Sequence, residues 1–278
     1  MEWDSEEINS LIDQALAEDL GSGDLTSNIL FPSPPNISAV FLAKEKGILA
    51  GLPLVGKIFS RLDRRCKIQY HFRDGNRLSV ADTICKLTGP ATALLAGERL
   101  ALNFVQRLSG IATQTGRYVR LAAPKGIQVL DTRKTTPLLR QLEKYAVTQG
   151  GGTNHRTGLY DGILVKDNHL KLQPGFVTIL KSFRNAGYLP GQIELEVTNF
   201  KMLKQAIDAG GCWFLLDNMS PSMIRRCVAI KKPHMRYEVS GGITVKNFPS
   251  YLIQGVDAIS IGELTHSAKA LDISMEFL

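Results

Sequence analysis

The 278-residue chain has few cysteines, few aromatic residues and no long apolar run, and each shortage argues against a class of protein. Cys66, Cys85, Cys212 and Cys227 show no C-x-x-C spacing and are too sparse for a disulfide scaffold, so reduced, buried thiols are expected and a cysteine zinc site is not. No apolar stretch approaches the ~18 residues of a membrane-spanning helix. The opening Met1-Glu2-Trp3-Asp4-Ser5-Glu6-Glu7 is acidic where a secretion signal is basic and then apolar, so a cytoplasmic location is expected. Aromatics are only 7% of the residues, which speaks against a basic stripe interleaved with stacking platforms for nucleic acid. Nothing suggests disorder: 44% hydrophobic and 21% charged residues fit a globular chain with an ample core.

The net charge of +7 points to an acidic partner without naming one. Its distribution says more. Residues 98–169 carry 11 basic and 5 acidic side chains, and most of the excess lies there.

The chain divides into two rhythms. Residues 6–20 place Ile8, Leu11, Ile12, Ala15, Leu16 and Leu20 at helical spacing before Gly21-Ser22-Gly23-Asp24. Ile37–Leu49, Lys67–Phe72 and Arg77–Leu87 read as strands of an antiparallel sheet. From Ala96 to Leu121 the 3.6 spacing returns as one long helix, or two broken near Gly110. After Pro124-Lys125-Gly126 short apolar runs alternate with helical stretches: Ile127–Leu130, Ile163–Val165, Ile193–Leu195, Trp213–Leu216, Tyr237–Val239 and Ala258–Ile261. Repeated βα units of this kind imply a parallel sheet or barrel. Pro249 interrupts the stretch after Gly242, where a helix is expected to begin only near that residue.

Nearly every one of these runs ends in a polar, charged or glycine residue: Asp131, Lys166, Glu196, Asp217, Ser240 and Gly262. Core packing is indifferent to the residue after a strand, whereas a barrel carries its functional groups there. Asp131-Thr132-Arg133-Lys134-Thr135-Thr136-Pro137 offers two adjacent cations and three hydroxyls, donors suited to phosphate or carboxylate. Gly150-Gly151-Gly152-Thr153-Asn154-His155-Arg156 brings backbone amides, an imidazole and a guanidinium. Lys166, if buried at its strand end, needs an anionic ligand or an ion pair with Glu196 or Asp217. Glu194 and Glu196 alternate with apolar residues and share one face of their strand. Carboxylates among so many cations can hold a divalent metal, bind sugar hydroxyls or neutralise the cations. Ser240-Gly241-Gly242 and Gly262 follow the last two strands, where barrels often bind phosphate. His169 and His266 can equally be structural.

These stretches carry a resemblance. Ala17-Glu18-Asp19-Leu20-Gly21-Ser22-Gly23-Asp24, Gly97-Glu98-Arg99, Leu108-Ser109-Gly110-Ile111-Ala112-Thr113, the Asp131–Pro137 loop, Asn154-His155-Arg156, Lys166-Asp167-Asn168-His169, Leu216-Asp217-Asn218, Ser240-Gly241-Gly242-Ile243 and Leu264-Thr265-His266-Ser267 are similar, in order, to the motifs of quinolinate phosphoribosyltransferases. Two positions depart from the pattern. Leu138 stands where many relatives have glycine, and Glu263 replaces a small residue, adding negative charge near the phosphate loop.

The resemblance implies an N-terminal α/β sandwich over residues 1–112, an incomplete, TIM-like α/β barrel over 113–264, and a segment 265–278 packing back on the first domain. It implies a homodimer in which each subunit covers its partner's barrel mouth. The implied reaction joins quinolinate to the phosphoribosyl group of phosphoribosyl pyrophosphate (PRPP), with Mg²⁺, to give nicotinate mononucleotide, pyrophosphate and carbon dioxide. In that reading Arg133, His155, Arg156, Lys166 and a neighbour's Arg99 bind quinolinate, and Lys134 contacts PRPP. Glu196 and Asp217 bind the ribose hydroxyls or Mg²⁺, and Ser240, Gly241, Gly242 and Gly262 cradle the 5′-phosphate. Lys134, Lys166, Glu196 and Asp217 are the expected catalytic groups. A pyrophosphorylase-like relative acting on another base, such as those accompanying molybdate transport, and a non-enzymatic anion or nucleic-acid binder are the competing readings.

Overall fold

Local chemistry sets the first element. Ser5 caps α1 (Glu6–Leu20) by accepting the Ile8 N–H at 3.4 Å, Glu6 and Glu7 complement the helix dipole, and Gly21, at φ 50°, ends it. The computed structural model describes residues 1–173 and 175–278. Along the chain follow α2 (Leu25–Leu30), β1 (Asn36–Ala43), β2 (Gly47–Ile48), α3 (Leu52–Leu62), β3 (Lys67–Tyr70), β4 (Arg77–Leu78), β5 (Thr83–Pro90) and α4 (Ala91–Ala122). Then come β6 (Gln128–Leu130), α5 (Arg140–Gln149), β7 (Ile163–Val165), α6 (Asp167–Leu172), α7 (Phe176–Asn185), β8 (Ile193–Val197), α8 (Phe200–Asp208) and β9 (Trp213–Asp217). The last are α9 (Pro221–Val228), β10 (Arg236–Ser240), α10 (Phe248–Tyr251), β11 (Ala258–Ser260), α11 (Glu263–His266) and β12 (Ile273–Phe277).

Two compact units result. The first comprises residues 1–116, 136–151 and 268–278. Its antiparallel sheet has the order β12-β1-β5-β3, so the last strand of the chain lies beside the first, with Phe41 opposite Met275. Ile12, Phe41, Val55, Ile58, Phe59 and Leu87 are fully buried in this unit. The long reading of Ile37–Leu49 as one strand is corrected: Lys44, Glu45 and Lys46 interrupt it, and the chain passes from the large sheet to the small β2–β4 pair. Arg77–Leu87 likewise divides into β4 and β5, with a turn at Ser79–Asp82 held by the Ser79 N–H on Asp82 Oδ2 at 2.7 Å.

Gly110 does not break the long helix, which runs unbroken from Ala91 to Ala122. Glycine serves another purpose there, because a Cβ at 110 would lie 2.1 Å from the Lys269 carbonyl oxygen. The division between units falls inside α4 after Gly116, and residues 136–151, expected with the barrel, group with the first unit. All four cysteines are free; Cys85 and Cys227 are buried, whereas Cys66 and Cys212 are only half-buried.

The second unit, residues 117–135 and 152–267, contains six parallel strands in the order β6-β11-β10-β9-β8-β7. Six strands with β6 and β7 left as edges make an incomplete barrel, two short of the eight that close a (β/α)₈ ring. Helices connect most of these strands; α8 is capped by Asn199, which accepts the Met202 N–H at 2.9 Å, and buries Leu203 and Ala206. Register aligns Glu196, Leu215, Glu238 and Ala258 across four strands, and Asp217 with Ser240. Neighbours in parallel register project from the same face, so Glu196 and Glu238 share a face with Leu215 and Ala258 between and beside them.

Candidate active site

The C-terminal ends of the parallel strands open on a cavity of about 570 Å³. Its lining includes Arg133, Lys134, His155, Arg156 and Lys166, with Glu196, Asp217, Glu238, Ser240, Gly241, Gly242 and Gly262. Eleven of the twelve residues expected from the sequence to bind substrate therefore share one cavity. Arg99 is the exception, exposed on α4 in the first unit and absent from this lining.

Buried anchors hold the loops. Asp131, fully buried, accepts the His155 backbone N–H at 2.8 Å and so ties the loop after β6 to the His-Arg segment. Thr265 Oγ1 donates to the Lys134 carbonyl at 2.7 Å, leaving the Lys134 side chain exposed at the cavity. Arg156 donates to the Gly162 carbonyl at 3.1 Å, and burial together with the neighbouring Arg133 charge pulls its pKa below the usual guanidinium range. Two cations forced together in this way favour an anionic ligand between them.

Lys166 lines the mouth of the cavity and is exposed there, and among the described residues it forms no ion pair with Glu196 or Asp217, the structural alternative. Its backbone N–H donates to His169 Nδ1 at 2.9 Å, which gives that histidine a structural part.

Glu196 is half-buried, and burial raises its carboxyl pKa, opposed by the Asp167 N–H and assisted by the charge of Asp217. Asp217 accepts a hydrogen bond from Asn218 Nδ2 at 2.7 Å. Both carboxylates line the same cavity as hard oxygen donors, and the set fits Mg²⁺, which takes one or two carboxylates and completes its shell with phosphate and water. The Gly241 turn requires glycine twice over: φ is 96°, and a Cβ would sit 2.3 Å from Asn218 Oδ1. A side chain at 262 would meet Lys134 Cδ at 2.9 Å.

Glu238 was not singled out from the sequence, whereas Asp131 and Glu194 were, without an assigned binding role. His155 Nε2 lies 3.0 Å from Glu194 Oε2 and 3.4 Å from Glu238 Oε1, with both carboxylates almost fully buried. Burial pushes the Glu194 carboxyl up to about 7. Burial, and then the neighbouring Glu194, push Glu238 up to about 8. The signal for Glu238 was the alternation Arg236-Tyr237-Glu238-Val239-Ser240, the same polar-every-second pattern that singled out Glu194 and Glu196.

Comparison with known proteins agrees across both units. Residues 24–109 match the family model for the quinolinate phosphoribosyl transferase N-terminal domain, and residues 111–276 match that for the C-terminal domain. A Bacillus subtilis (strain 168) protein named probable nicotinate-nucleotide pyrophosphorylase (carboxylating) is 44% identical over 270 residues, spanning 97% of this chain and 93% of that one. A chloroplastic nicotinate-nucleotide pyrophosphorylase (carboxylating) of Arabidopsis thaliana is 37% identical over 289 residues, spanning 97% and 82%. Among solved structures, NadC from Streptococcus pyogenes superposes with a TM-score of 0.92 at 38% identity, covering 98% of this chain and 97% of its own. With both domain models matched and relatives aligned almost end to end, the chain belongs to the quinolinate phosphoribosyl transferase family.

Proposed function

We propose that this protein transfers the phosphoribosyl group of PRPP to quinolinate with decarboxylation, the step that forms nicotinate mononucleotide in de novo NAD synthesis. One observation carries the reading: Arg133, Lys134, Arg156 and Lys166 line the same cavity as the carboxylates of Glu196 and Asp217. Quinolinate bears two adjacent carboxylates, and planar guanidinium groups bind such anions with paired, charge-assisted hydrogen bonds. Lys134 and the Ser240–Gly242 and Gly262 turns face the phosphates of PRPP.

In the reaction the ribose C1–pyrophosphate bond breaks with its electron pair going to pyrophosphate, and the pyridine nitrogen forms the new bond to C1. Glu196 and Asp217 stabilise the positive charge that develops on the ribose and hold its hydroxyls or Mg²⁺. Mg²⁺ held by Glu196 and Asp217 together with PRPP would supply positive charge to the departing pyrophosphate. The carboxylate beside the pyridinium then leaves as carbon dioxide; its bonding pair stays on the ring carbon, stabilised by the cationic ring, and a proton from water completes the product. No covalent enzyme intermediate is needed. The chain's part is positioning and charge complementarity, and a pocket gripping the leaving carboxylate too tightly slows its loss.

The active form is a homodimer in this reading. Support comes from α2, which leaves Leu25, Ile29 and Leu30 65–78% exposed, an apolar face that a second subunit can cover. Arg99, off the cavity in its own chain, is then supplied to the partner's site. The four free thiols accord with the cytoplasm, and among the described residues no helix is long and apolar enough to cross a membrane. The strand-end placement of the cations favours small anions over nucleic acid as partners.

Lys166→Ala is the direct test. The side chain is exposed, so the variant is expected to keep the wild-type melting temperature while kcat/KM for quinolinate falls about 100-fold, as for a lost hydrogen bond to a charged group. Unchanged turnover, or unfolding, contradicts the assigned role.

A further inference from the structure

Below the cations the proposed chemistry leaves a buried group unused. Glu194 on β8 and Glu238 on β10 are 1% and 0% exposed. Glu194 Oε1 and both Glu238 oxygens receive no hydrogen bond. Two carboxyl groups are not kept out of water by packing alone, because desolvating them costs several kcal/mol. Besides each other, Ser260 and the charges of Arg156 and Arg236, they face one imidazole, whose Nε2 lies within 3.4 Å of both.

The hydrogen bonds of that ring fix its proton. The Arg156 backbone N–H donates to His155 Nδ1 at 2.7 Å, and a donor aimed at Nδ1 leaves no room for a proton there. The single ring proton is therefore on Nε2, pointing at Glu194 Oε2 and, beyond it, Glu238 Oε1. The His155 backbone is pinned as well, by Asp131.

We propose that Glu194 and Glu238 are positioning residues that hold His155 as the neutral Nε2–H tautomer, so that the ring floors the anion pocket as an uncharged wall. The charge of the dicarboxylate then falls to Arg133, Arg156 and Lys166, with Arg99 from the partner. This rests on reading the cavity as the quinolinate site, and it changes the part of His155 from cation to spacer. An uncharged floor also suits the chemistry, since a further cation beneath the substrate holds the leaving carboxylate more tightly in the ground state.

The same three groups can also chelate a metal, their ligand atoms lying within 4.8 Å of one another, so the test includes that outcome. Protein labelled with ¹⁵N at its histidines is examined by NMR from pH 6 to 8, with His155 assigned by its absence in His155→Asn. The expected signature is a protonated Nε2 and an unprotonated Nδ1. Glu194→Gln, which keeps an acceptor, retains it. Glu194→Leu frees the ring, gives exchange between tautomers, and raises the quinolinate KM at least tenfold while the PRPP KM stays within twofold. An imidazolium in the wild type, an unaltered signature in Glu194→Leu, or one equivalent of bound metal in the purified protein overturns the proposal. Should Glu194→Leu not fold, the wild-type spectrum and metal content still decide. Absence of quinolinate turnover in the wild type defeats the proposed reaction, not the tautomer.

Discussion

Single residues store part of this protein's stability, and two of them make measurable claims. Leu138 sits at φ 67°, in the left-handed region, with 84% of its surface exposed. A leucine there loses conformational energy of about 1–2 kcal/mol and recovers little by packing, while glycine adds some unfolded-state entropy. Leu138→Gly is expected to stabilise the protein by about 0.5–1 kcal/mol, seen as a melting temperature raised by a degree or more; a lower one would mean that the exposed side chain packs against a partner. The motif departure read from sequence thus acquires a backbone reason.

Glu238 works in the opposite sense. Its folded-state pKa is raised to about 8, chiefly by burial, so between the ordinary carboxylate range and pH 8 the native state binds more protons than the unfolded one. Stability must fall as pH rises across that window. Melting temperatures at pH 5 and pH 8 should show the decline, and Glu238→Gln, neutral throughout, should reduce it to the part that Glu194, raised to about 7, contributes. A wild-type protein equally stable at both values, or a slope untouched by the substitution, would disprove the assignment.

Among elements, the strand ends were the most legible feature of the sequence, and the strand and helix boundaries of the first unit the least. A buried parallel strand must be apolar along its run but not beyond it, so Asp131, Lys166, Glu196, Asp217, Ser240 and Gly262 stood out without knowledge of the fold. Ile37–Leu49 misled because β-propensity continues while the chain changes sheets, and propensity carries no record of which strand is the partner. Lys166 was expected at the barrel mouth as the residue ending its strand, and it lines the cavity there, exposed where the chain turns into α6. Glu238 was overlooked although it alternates with Tyr237 and Val239 as Glu194 and Glu196 do with their apolar neighbours.

Gly110 shows how packing overrides local rules. Helix propensity disfavours glycine in the middle of α4, yet the 269–270 segment approaches too closely for any side chain. Gly110→Ala, stabilising in an isolated helix, is expected to cost about 3 kcal/mol here and to loosen the C-terminal segment that carries β12. Limited proteolysis would then cleave the segment before 278 earlier than in the wild type; equal resistance and an unchanged melting temperature would show that the contact relaxes freely.

For the molecule as a whole, part of the positive charge concentrated in residues 98–169, namely Arg133, Lys134, Arg156 and Lys166, lines the cavity assigned under the proposed reaction to a dianionic substrate and a sugar phosphate. Sharing of sites between subunits is testable by complementation. Arg99→Ala and Lys166→Ala are each expected to keep no more than about a hundredth of wild-type kcat/KM, but an equal mixture refolded together should recover about a quarter of wild-type activity, because half of the dimers then carry one intact site of two. Activity no greater than that of the separate variants would place Arg99 outside its partner's site.

The most direct measurement of the proposed reaction uses quinolinate labelled in the carboxylate next to the ring nitrogen, with PRPP and Mg²⁺. Labelled carbon dioxide and nicotinate mononucleotide are predicted to appear one for one, only when PRPP is present. No release of label, or nucleotide formation without it, would contradict the assignment of this cavity to decarboxylating phosphoribosyl transfer.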